Sequence, residues 1–297
     1  MTTEAAAGPK YTPYAKASSF VIGLSALDPK QWIEPDKDLG DFLDEKDRLR
    51  ETEFDAIFRQ VEGSEAGQRE CLDLLVGHLV EDHRDLYRRS GHCLEFAGRS
   101  IDLDTDQPPL LIAGSLTQDD LVILSKRDTG WNVVAGYVAF PSAWSLAEKI
   151  GHPMETVHGH VPGFQGGTRN ATMLNRIFDN LQPDLPAVRM NWSIYPEGAL
   201  YWPPERNDAA KKRPFDPTNN FIRVERQVLR RLPVTGDIVF SIRIYSDPLA
   251  TLANLPDAKE VAGALIQRLD GFTPEQLAYK GMVSRKAALI EFLAALA

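Results

Sequence analysis

Two histidines, His158 and His160, flank a single glycine in a stretch with no helical pattern. In an extended segment, side chains two positions apart point the same way, so the pair could ligate one metal ion. No carboxylate follows at close spacing, because Val-Pro-Gly-Phe comes next. A single histidine here could instead be an axial ligand of haem. The spacing alone is equally compatible with two structural histidines in a loop.

Polar side chains alternate with apolar ones on three segments that follow these histidines. Their members could form one polar patch if the strands are neighbours: Arg189, Asn191, Ser193, Arg223, Glu225, Gln227, Ser241 and Arg243. Guanidinium groups in such a patch could bind carboxylates of a ligand, because arginine pairs with them bidentately. A solvated sheet face, common in antiparallel sheets, is the favoured interpretation on pattern alone.

The remaining candidates are weaker. His78 and His83 are five positions apart on a predicted helix, roughly 140° around its axis, so they do not converge on one metal. The two cysteines, Cys71 and Cys93, form no CxxC pair and are too few for a disulfide framework or an iron–sulfur cluster. The sequence also contains neither GxGxxG nor a P-loop motif.

The elements that must position these residues follow from periodicity. Alternation of period two predicts strands over 120–126, 131–140, 188–194, 222–228 and 238–245, with an apolar run at 109–113 also expected to be extended. Period 3.6 and capping residues predict helices over 41–60, 67–89, 168–181, 257–270, 273–280 and 284–297, and a short one from Ser145. Helices, then antiparallel strands, then helices predict an α+β fold. We expect one domain over 1–297, irregular over about 1–26.

Composition narrows the function class. The chain has 297 residues, 43% of them hydrophobic, and a net charge of -9. Broad nucleic-acid binding is disfavoured, because phosphate binding requires a basic face. No run of 18 apolar residues is present, so no membrane span is expected, and no secretory signal is visible at the N-terminus. A cytoplasmic protein is the expectation.

Several spaced motifs resemble those of the haem-dependent oxidative N-demethylases and the proteins grouped with their haem subunit. They begin with Phe140-Pro141-Ser142-x-Trp144-x-Leu146-x-Glu148-Lys149 and Val157-His158-Gly159-x-Val161-Pro162-Gly163. They continue with Arg189-x-Asn191-Trp192-Ser193, Arg223-Val224-Glu225-Arg226-Gln227-x-Leu229-x-Arg231-Leu232-Pro233 and Phe240-x-Ile242-Arg243-x-Tyr245. The resemblance spans roughly residues 27–293, although the segment 202–220 does not align with it.

The resemblance implies a haem b protein with a PAS-like antiparallel sheet core and helices packed before and after it. It implies oxidative demethylation of a small secondary amine such as dimethylamine, with O2 consumed and formaldehyde released. Flavin reductase and ferredoxin-type partner proteins would deliver the electrons, which agrees with the missing flavin and iron–sulfur motifs.

The resemblance also implies roles for individual residues. His158 lies on the family's His-Gly motif and would be the axial ligand of the iron. Haem contacts are expected from four further residues: Arg189, Asn191, Trp192 and Arg243. Glu225 would pair with the ammonium group or deliver protons, while Arg223 or Arg226 stabilises anionic groups. Two other hypotheses are a haem-binding sensor or carrier without turnover, and a non-haem metal enzyme that uses His158 and His160.

Overall fold

The computed structural model describes residues 8–16, 22–211 and 216–296. Within these ranges the α-helices are Pro13–Lys16 (α1), Leu39–Thr52 (α2), Phe54–Ile57 (α3), Glu65–Asp82 (α4), Pro109–Gly114 (α5), Met154–Val157 (α6), Arg169–Asn180 (α7), Pro204–Lys211 (α8), Ala258–Asp270 (α9), Pro274–Tyr279 (α10) and Lys286–Leu296 (α11).

The strands of the described ranges are Ser25–Ala26 (β1), Phe58–Gln60 (β2), Arg88–Ser90 (β3), Cys93–Phe96 (β4), Arg99–Asp102 (β5), Asp120–Arg127 (β6), Gly130–Tyr137 (β7), Ala187–Tyr195 (β8), Phe221–Arg231 (β9) and Ile238–Pro248 (β10). One sheet has the order β1-β8-β9-β10-β6-β7-β2 and is antiparallel throughout. A smaller sheet has the order β3-β4-β5. Helices and antiparallel sheets together confirm the α+β class.

The large sheet has two differently covered faces. Successive side chains of a strand point to opposite faces, so each long strand contributes to both. On one face, α2, α4 and α5 pack against the centre of the sheet, and α1, α9 and α11 pack against β8 and β9. The other face carries a separate apolar cluster that includes Leu124, Val133, Met154 and Phe178. This second face is covered by α6, α7 and the loops around them, and it holds the candidate site.

The segment 109–113, predicted as a strand, is the helix α5. A short apolar run does not by itself distinguish a buried strand from a buried helix. Pro109 occupies the first turn of α5, where its missing N–H costs nothing, and the side chain of Gln68 accepts a hydrogen bond from the Leu110 N–H at 3.3 Å. The start signal was therefore in the sequence, but the pattern alone favoured extension.

The helix predicted over 67–89 ends at Asp82, and residues 88–90 form strand β3 instead. Gly91, just past the predicted end of this helix, has φ +61° in the tight connection between β3 and β4. The helix predicted over 41–60 likewise ends at Thr52, because Glu53 leaves the helical region with φ -133°. Residues 145–150 form turns rather than the expected short helix.

The other strand and helix predictions are confirmed, with shifts of a few residues at their ends. Of the segment 1–26 expected to be irregular, the described residues include α1 and β1, while 1–7 and 17–21 lie outside the described residues. Residues 212–215 of the unaligned segment 202–220 and the terminal residue of the last predicted helix lie outside them too. Among the described helices, none has the length and apolar character needed to cross a membrane.

Candidate functional site

A cavity of about 360 Å³ lies between the second sheet face and the segment 142–164. Ligand sites in proteins are typically about 300–1,000 Å³, mostly apolar, with a few polar groups. Much of the wall here is apolar, with side chains from β6, β7, β9, β10 and the covering helices: Val122, Leu124, Val133, Leu146, Met154, Phe164, Phe178, Leu229, Phe240 and Ile242. The polar groups are concentrated at the β8–β9 side.

Strand register determines which polar residues meet in this cavity. Arg189 lies opposite Gln227 and Asn191 lies opposite Glu225 in the β8–β9 pair, and all four line the cavity. Residues directly opposite in an antiparallel pair share a face, so this polar line is a consequence of the alternation that the sequence predicted. The predicted polar patch therefore exists in part.

The patch does not include Ser241 and Arg243. On β10, Ser241 is opposite Val228 and Arg243 is opposite Arg226, whereas Ile242 is opposite Gln227. The polar positions of β10 thus point to the face away from the cavity, and its apolar positions line the cavity. Arg243 is buried there, where it stacks on Phe42 and pairs with Asp36, its Nη2 atom 2.8 Å from Asp36 Oδ2.

Glu225 is a buried carboxylate in the cavity wall, with 8% of its surface exposed. Gln227, two positions along the same strand, donates from Nε2 to Glu225 Oε2 at 2.7 Å. Three cations, Arg189, Arg223 and Lys280, interact electrostatically with the Glu225 carboxylate. A buried carboxylate needs such partners, because an unpaired one would be very costly.

Arg189 reaches the cavity with an incomplete set of hydrogen bonds. Its Nε atom is buried and has no hydrogen-bond partner. Burial lowers the pKa of its guanidinium, and the negative charge of Glu225 opposes that shift. A buried donor without a partner is expensive, and because Arg189 lines the cavity, this atom is available to an acceptor of a ligand.

Two lysines also line the cavity, and sequence reasoning missed both as site residues. Lys280, just after α10, donates from Nζ to the main-chain oxygen of Trp192 at 2.6 Å. Burial lowers its pKa to about 8, so it is still largely cationic at pH 7. Lys149 donates to the Val157 carbonyl at 3.2 Å. Lys149 stood in the matching motif that begins at Phe140, but no local pattern pointed to Lys280.

His158 caps α6 and lines the cavity. Its Nδ1 atom is 3.0 Å from the Met154 carbonyl oxygen, so Nδ1 carries the proton and Nε2 is the unprotonated nitrogen. Burial lowers the pKa of this histidine, which keeps the ring neutral. A neutral imidazole whose Nδ1–H is held by a carbonyl is the arrangement that metal-binding histidines use.

His160 also lines the cavity but is exposed. Among the described residues, His158 and His160 do not belong to a group of three potential metal ligands. The structure therefore brings both histidines to the same cavity and distinguishes them by burial and hydrogen bonding.

Two other residues with predicted roles have structural partners. Arg223 is buried beside the cavity, where its guanidinium donates to Ser142 Oγ at 3.0 Å and to the Phe140 carbonyl at 2.8 Å, among others. Arg226 points to the opposite face, with Nη1 3.0 Å from the Trp32 carbonyl and Nε 3.2 Å from a Glu34 oxygen.

Trp192 also lies on that opposite face. Its ring packs in the cluster formed by α1, α9 and α11. The structure thus brings His158, Arg189, Asn191 and Glu225 together around one cavity and places Trp192, Arg226 and Arg243 outside it.

The family comparison covers the polar and charged part of this site. A model of the family described as haem-dependent oxidative N-demethylase, alpha subunit-like, matches residues 23–290. This range is most of the chain and contains all the polar and charged residues that line the cavity. The chain belongs to this family, as its motifs predicted.

Proposed function

We propose that the cavity binds haem b and that the protein is the haem-bearing subunit of an oxidative N-demethylase acting on a small secondary amine. The observation that carries this proposal is that His158, with Nδ1 held by a carbonyl, and Arg189, with an unpartnered Nε, line the same largely apolar cavity. An imidazole can ligate haem iron, a guanidinium can bind a propionate, and apolar walls suit the macrocycle.

The charges of the cavity support the same ligand. Lys149, Arg189 and Lys280 are cationic and Glu225 is the anionic side chain among the described lining residues, which leaves an excess of two positive charges. Haem b carries two propionate groups, so its binding would neutralise this excess. We assign Arg189 and Lys280 to the propionates, and we expect the pKa of Lys280 to rise above about 8 when an anion lies beside it.

His158 would hold the iron through Nε2, the nitrogen that the Met154 hydrogen bond leaves unprotonated. When bound, the haem would supply the activation of O2 that oxidation of an N-methyl group requires. Glu225 binds the secondary ammonium ion, and Gln227 orients its carboxylate through the 2.7 Å hydrogen bond. With Arg189 and Lys280 engaged by propionates, the charge of Glu225 is available to the amine.

The remaining predicted roles are revised accordingly. Arg223 is assigned a positioning role and does not contact the ligand. Its hydrogen bonds to Ser142 and to the Phe140 carbonyl hold the segment 140–142, in which Ser142 lines the cavity. We assign no ligand contact to Trp192, Arg226 or Arg243. Asn191 is retained as a polar contact for haem or amine, since it lies opposite Glu225.

The proposed reaction converts one N-methyl group of dimethylamine into formaldehyde. One atom of O2 enters formaldehyde and the other leaves as water, so two electrons and two protons must be supplied. Flavin reductase and ferredoxin-type partners are proposed as the electron source. A PAS-like description of the sheet, a single domain over 1–297 and a cytoplasmic location remain parts of this proposal.

The experiment combines a spectrum with an activity assay. Protein produced with haem supplied should show a Soret band, and a protein without that band would exclude both the demethylase and a haem sensor. With electrons from a reductase and a ferredoxin, dimethylamine should yield formaldehyde above a control without amine. The variant Glu225→Gln should keep the Soret band and raise the KM for dimethylamine at least roughly tenfold, since a charge-assisted hydrogen bond is lost.

Two outcomes would redirect the proposal. A normal Soret band with no formaldehyde from any small secondary amine would favour a sensor or carrier. Formaldehyde release with an unchanged KM in Glu225→Gln would show that the ammonium binds elsewhere in the cavity.

A further inference from the structure

A group of three potential metal ligands lies on the small sheet, within the part of the chain that the structure describes. Cys93 begins β4 and is directly opposite Asp102, the last residue of β5. His92 precedes Cys93 in the connection from β3. One ligand atom from each of these three residues lies within 4.8 Å of the ligand atoms of the other two.

The donor atoms are arranged for a cation rather than for hydrogen bonds with each other. His92 Nε2 and Asp102 Oδ2 are 3.8 Å apart, which is too far for a hydrogen bond. In a tetrahedral site with metal–ligand bonds of about 2.0–2.3 Å, two ligand atoms are about 3.3–3.8 Å apart. Small side-chain rotations would bring all three donor atoms into that range.

Main-chain hydrogen bonds hold the carboxylate of one ligand and the backbone of another. The N–H of Asp104 donates to Asp102 Oδ1 at 2.9 Å, which leaves Oδ2 directed toward His92. The N–H of Leu103 donates to the His92 carbonyl at 2.9 Å, which extends the pairing of the two strands to this residue. Outer contacts of this kind orient ligands and strengthen metal binding.

The surroundings do not oppose a cation. His92 also lines a polar cleft of about 540 Å³, whose charged walls combine two carboxylates with two guanidinium groups: Asp73, Asp104, Arg69 and Arg89. The side chains of His92 and Asp102 are 67% and 44% exposed, so the ion could enter from solvent and keep water in a fourth position.

We propose that His92, Cys93 and Asp102 form a surface Zn²⁺ site, separate from the haem cavity. One sulfur, one imidazole nitrogen and one carboxylate oxygen are the ligand types that borderline-soft Zn²⁺ accepts. Zn²⁺ would bind Cys93 as the thiolate, so binding releases the thiol proton to solvent. The ion would also tie β4 to β5 and to the turn that precedes them.

Cys93 labelling tests the site in the full, haem-loaded protein. The other cysteine, Cys71, is fully buried, so a thiol reagent reports on Cys93. Zn²⁺ should slow labelling of Cys93 at least roughly tenfold, and equilibrium dialysis with zinc analysis should give one zinc per chain that Cys93→Ser lacks. Zinc is measured separately from haem iron, so the result does not depend on the proposed function.

Variants distinguish this site from general histidine binding. His92→Ala and Asp102→Asn should each weaken zinc binding at least roughly tenfold, while His152→Ala, an exposed histidine outside the cluster, should not change it. Unprotected Cys93, or the same zinc content in wild-type protein and in Cys93→Ser, would overturn the proposal. Far-UV circular dichroism verifies that each variant is folded.

Discussion

The Nδ1 atom of His158 lies 3.0 Å from the main-chain oxygen of Met154, four residues earlier in the chain. This contact fixes the tautomer of the ring and separates His158 from its neighbour His160, which is exposed. The distinction between the two histidines therefore depends on a hydrogen bond to α6, the single short turn of helix that Met154 begins.

The first prediction concerns iron ligation. His158→Ala should lose the Soret band of the purified protein, because His158 is the half-buried histidine of the described cavity wall and its Nδ1 is held by the Met154 carbonyl. His160→Ala should retain the band, since His160 is exposed. An absorption spectrum of each variant, normalised to protein, makes the comparison, and the opposite pattern would transfer the ligand role to His160.

The second prediction concerns the unpartnered Nε of Arg189. Arg189→Leu should release haem about 10- to 100-fold faster than wild-type protein, because hydrogen bonds to charged groups contribute about 1.5–3 kcal/mol. Haem transfer to an excess of a haem-scavenging protein measures this rate.

The matched control is Arg176→Leu, which removes the same charge from the exposed side of α7. It should leave the release rate unchanged. Equal rates in the two variants and the wild type would mean that Arg189 does not contact a propionate.

The positions of the strands can be predicted from the sequence. Which residues of neighbouring strands lie on the same face of the sheet cannot. The alternation on β8, β9 and β10 is evident locally, and all three strands are where the pattern predicted. Whether Arg243 meets Glu225 depends on which residue of β10 pairs with which residue of β9, and a shift of one position reverses the face. The prediction of a single polar patch was wrong for Ser241 and Arg243 because their strand pairs in the other register.

Lys280 was not predicted as a site residue because its contact with β8 joins distant parts of the chain. Lys280 reaches the cavity because β1 pairs only with residues 187 and 188 of β8, so the chain after α10 can contact the edge of β8 at Trp192. That contact spans 88 positions. Periodicity and capping describe neighbours in sequence, so such a contact becomes visible only when the elements are packed together.

The third prediction concerns the ion pair between Arg243 and Asp36 on the sheet face opposite the cavity. Arg243, 2% exposed, is held by Asp36, and removing it would leave that carboxylate without its main counter-charge. Arg243→Ala should lower the free energy of unfolding by about 2–5 kcal/mol, because it deletes a buried side chain packed on Phe42 and leaves the half-buried Asp36 without its counter-charge. The spectrum of the folded fraction should stay normal, because Arg243 does not line the cavity.

Arg48→Ala serves as the control, since it breaks an exposed pair with Glu45 and should cost less than about 1 kcal/mol. Urea unfolding followed by circular dichroism compares the two variants. A normal stability with a lost Soret band in Arg243→Ala would restore its predicted role as a haem contact.

The last prediction is the pH dependence that His78 gives to folding. The Ile33 N–H donates to His78 Nε2 at 3.2 Å, and Nδ1 is 2.9 Å from an oxygen of Asp82, so the ring is neutral with its proton on Nδ1. Burial, with a smaller contribution from His83, lowers the pKa of His78 to about 4. Protonation would place a second N–H against that of Ile33.

The unfolded chain takes up this proton near pH 6.5 and the folded protein only near pH 4, so the unfolded state binds more protons in between. Acidification through this window should therefore cost about 3 kcal/mol of folding free energy from His78 alone. His78→Gln keeps an acceptor for the Ile33 N–H without titrating. Urea unfolding at pH 6.5, 5 and 4 should show a loss about 3 kcal/mol smaller in this variant than in wild-type protein. The exposed His152→Gln should behave as wild type, and parallel pH profiles for wild type and His78→Gln would show that His78 is not the titrating group.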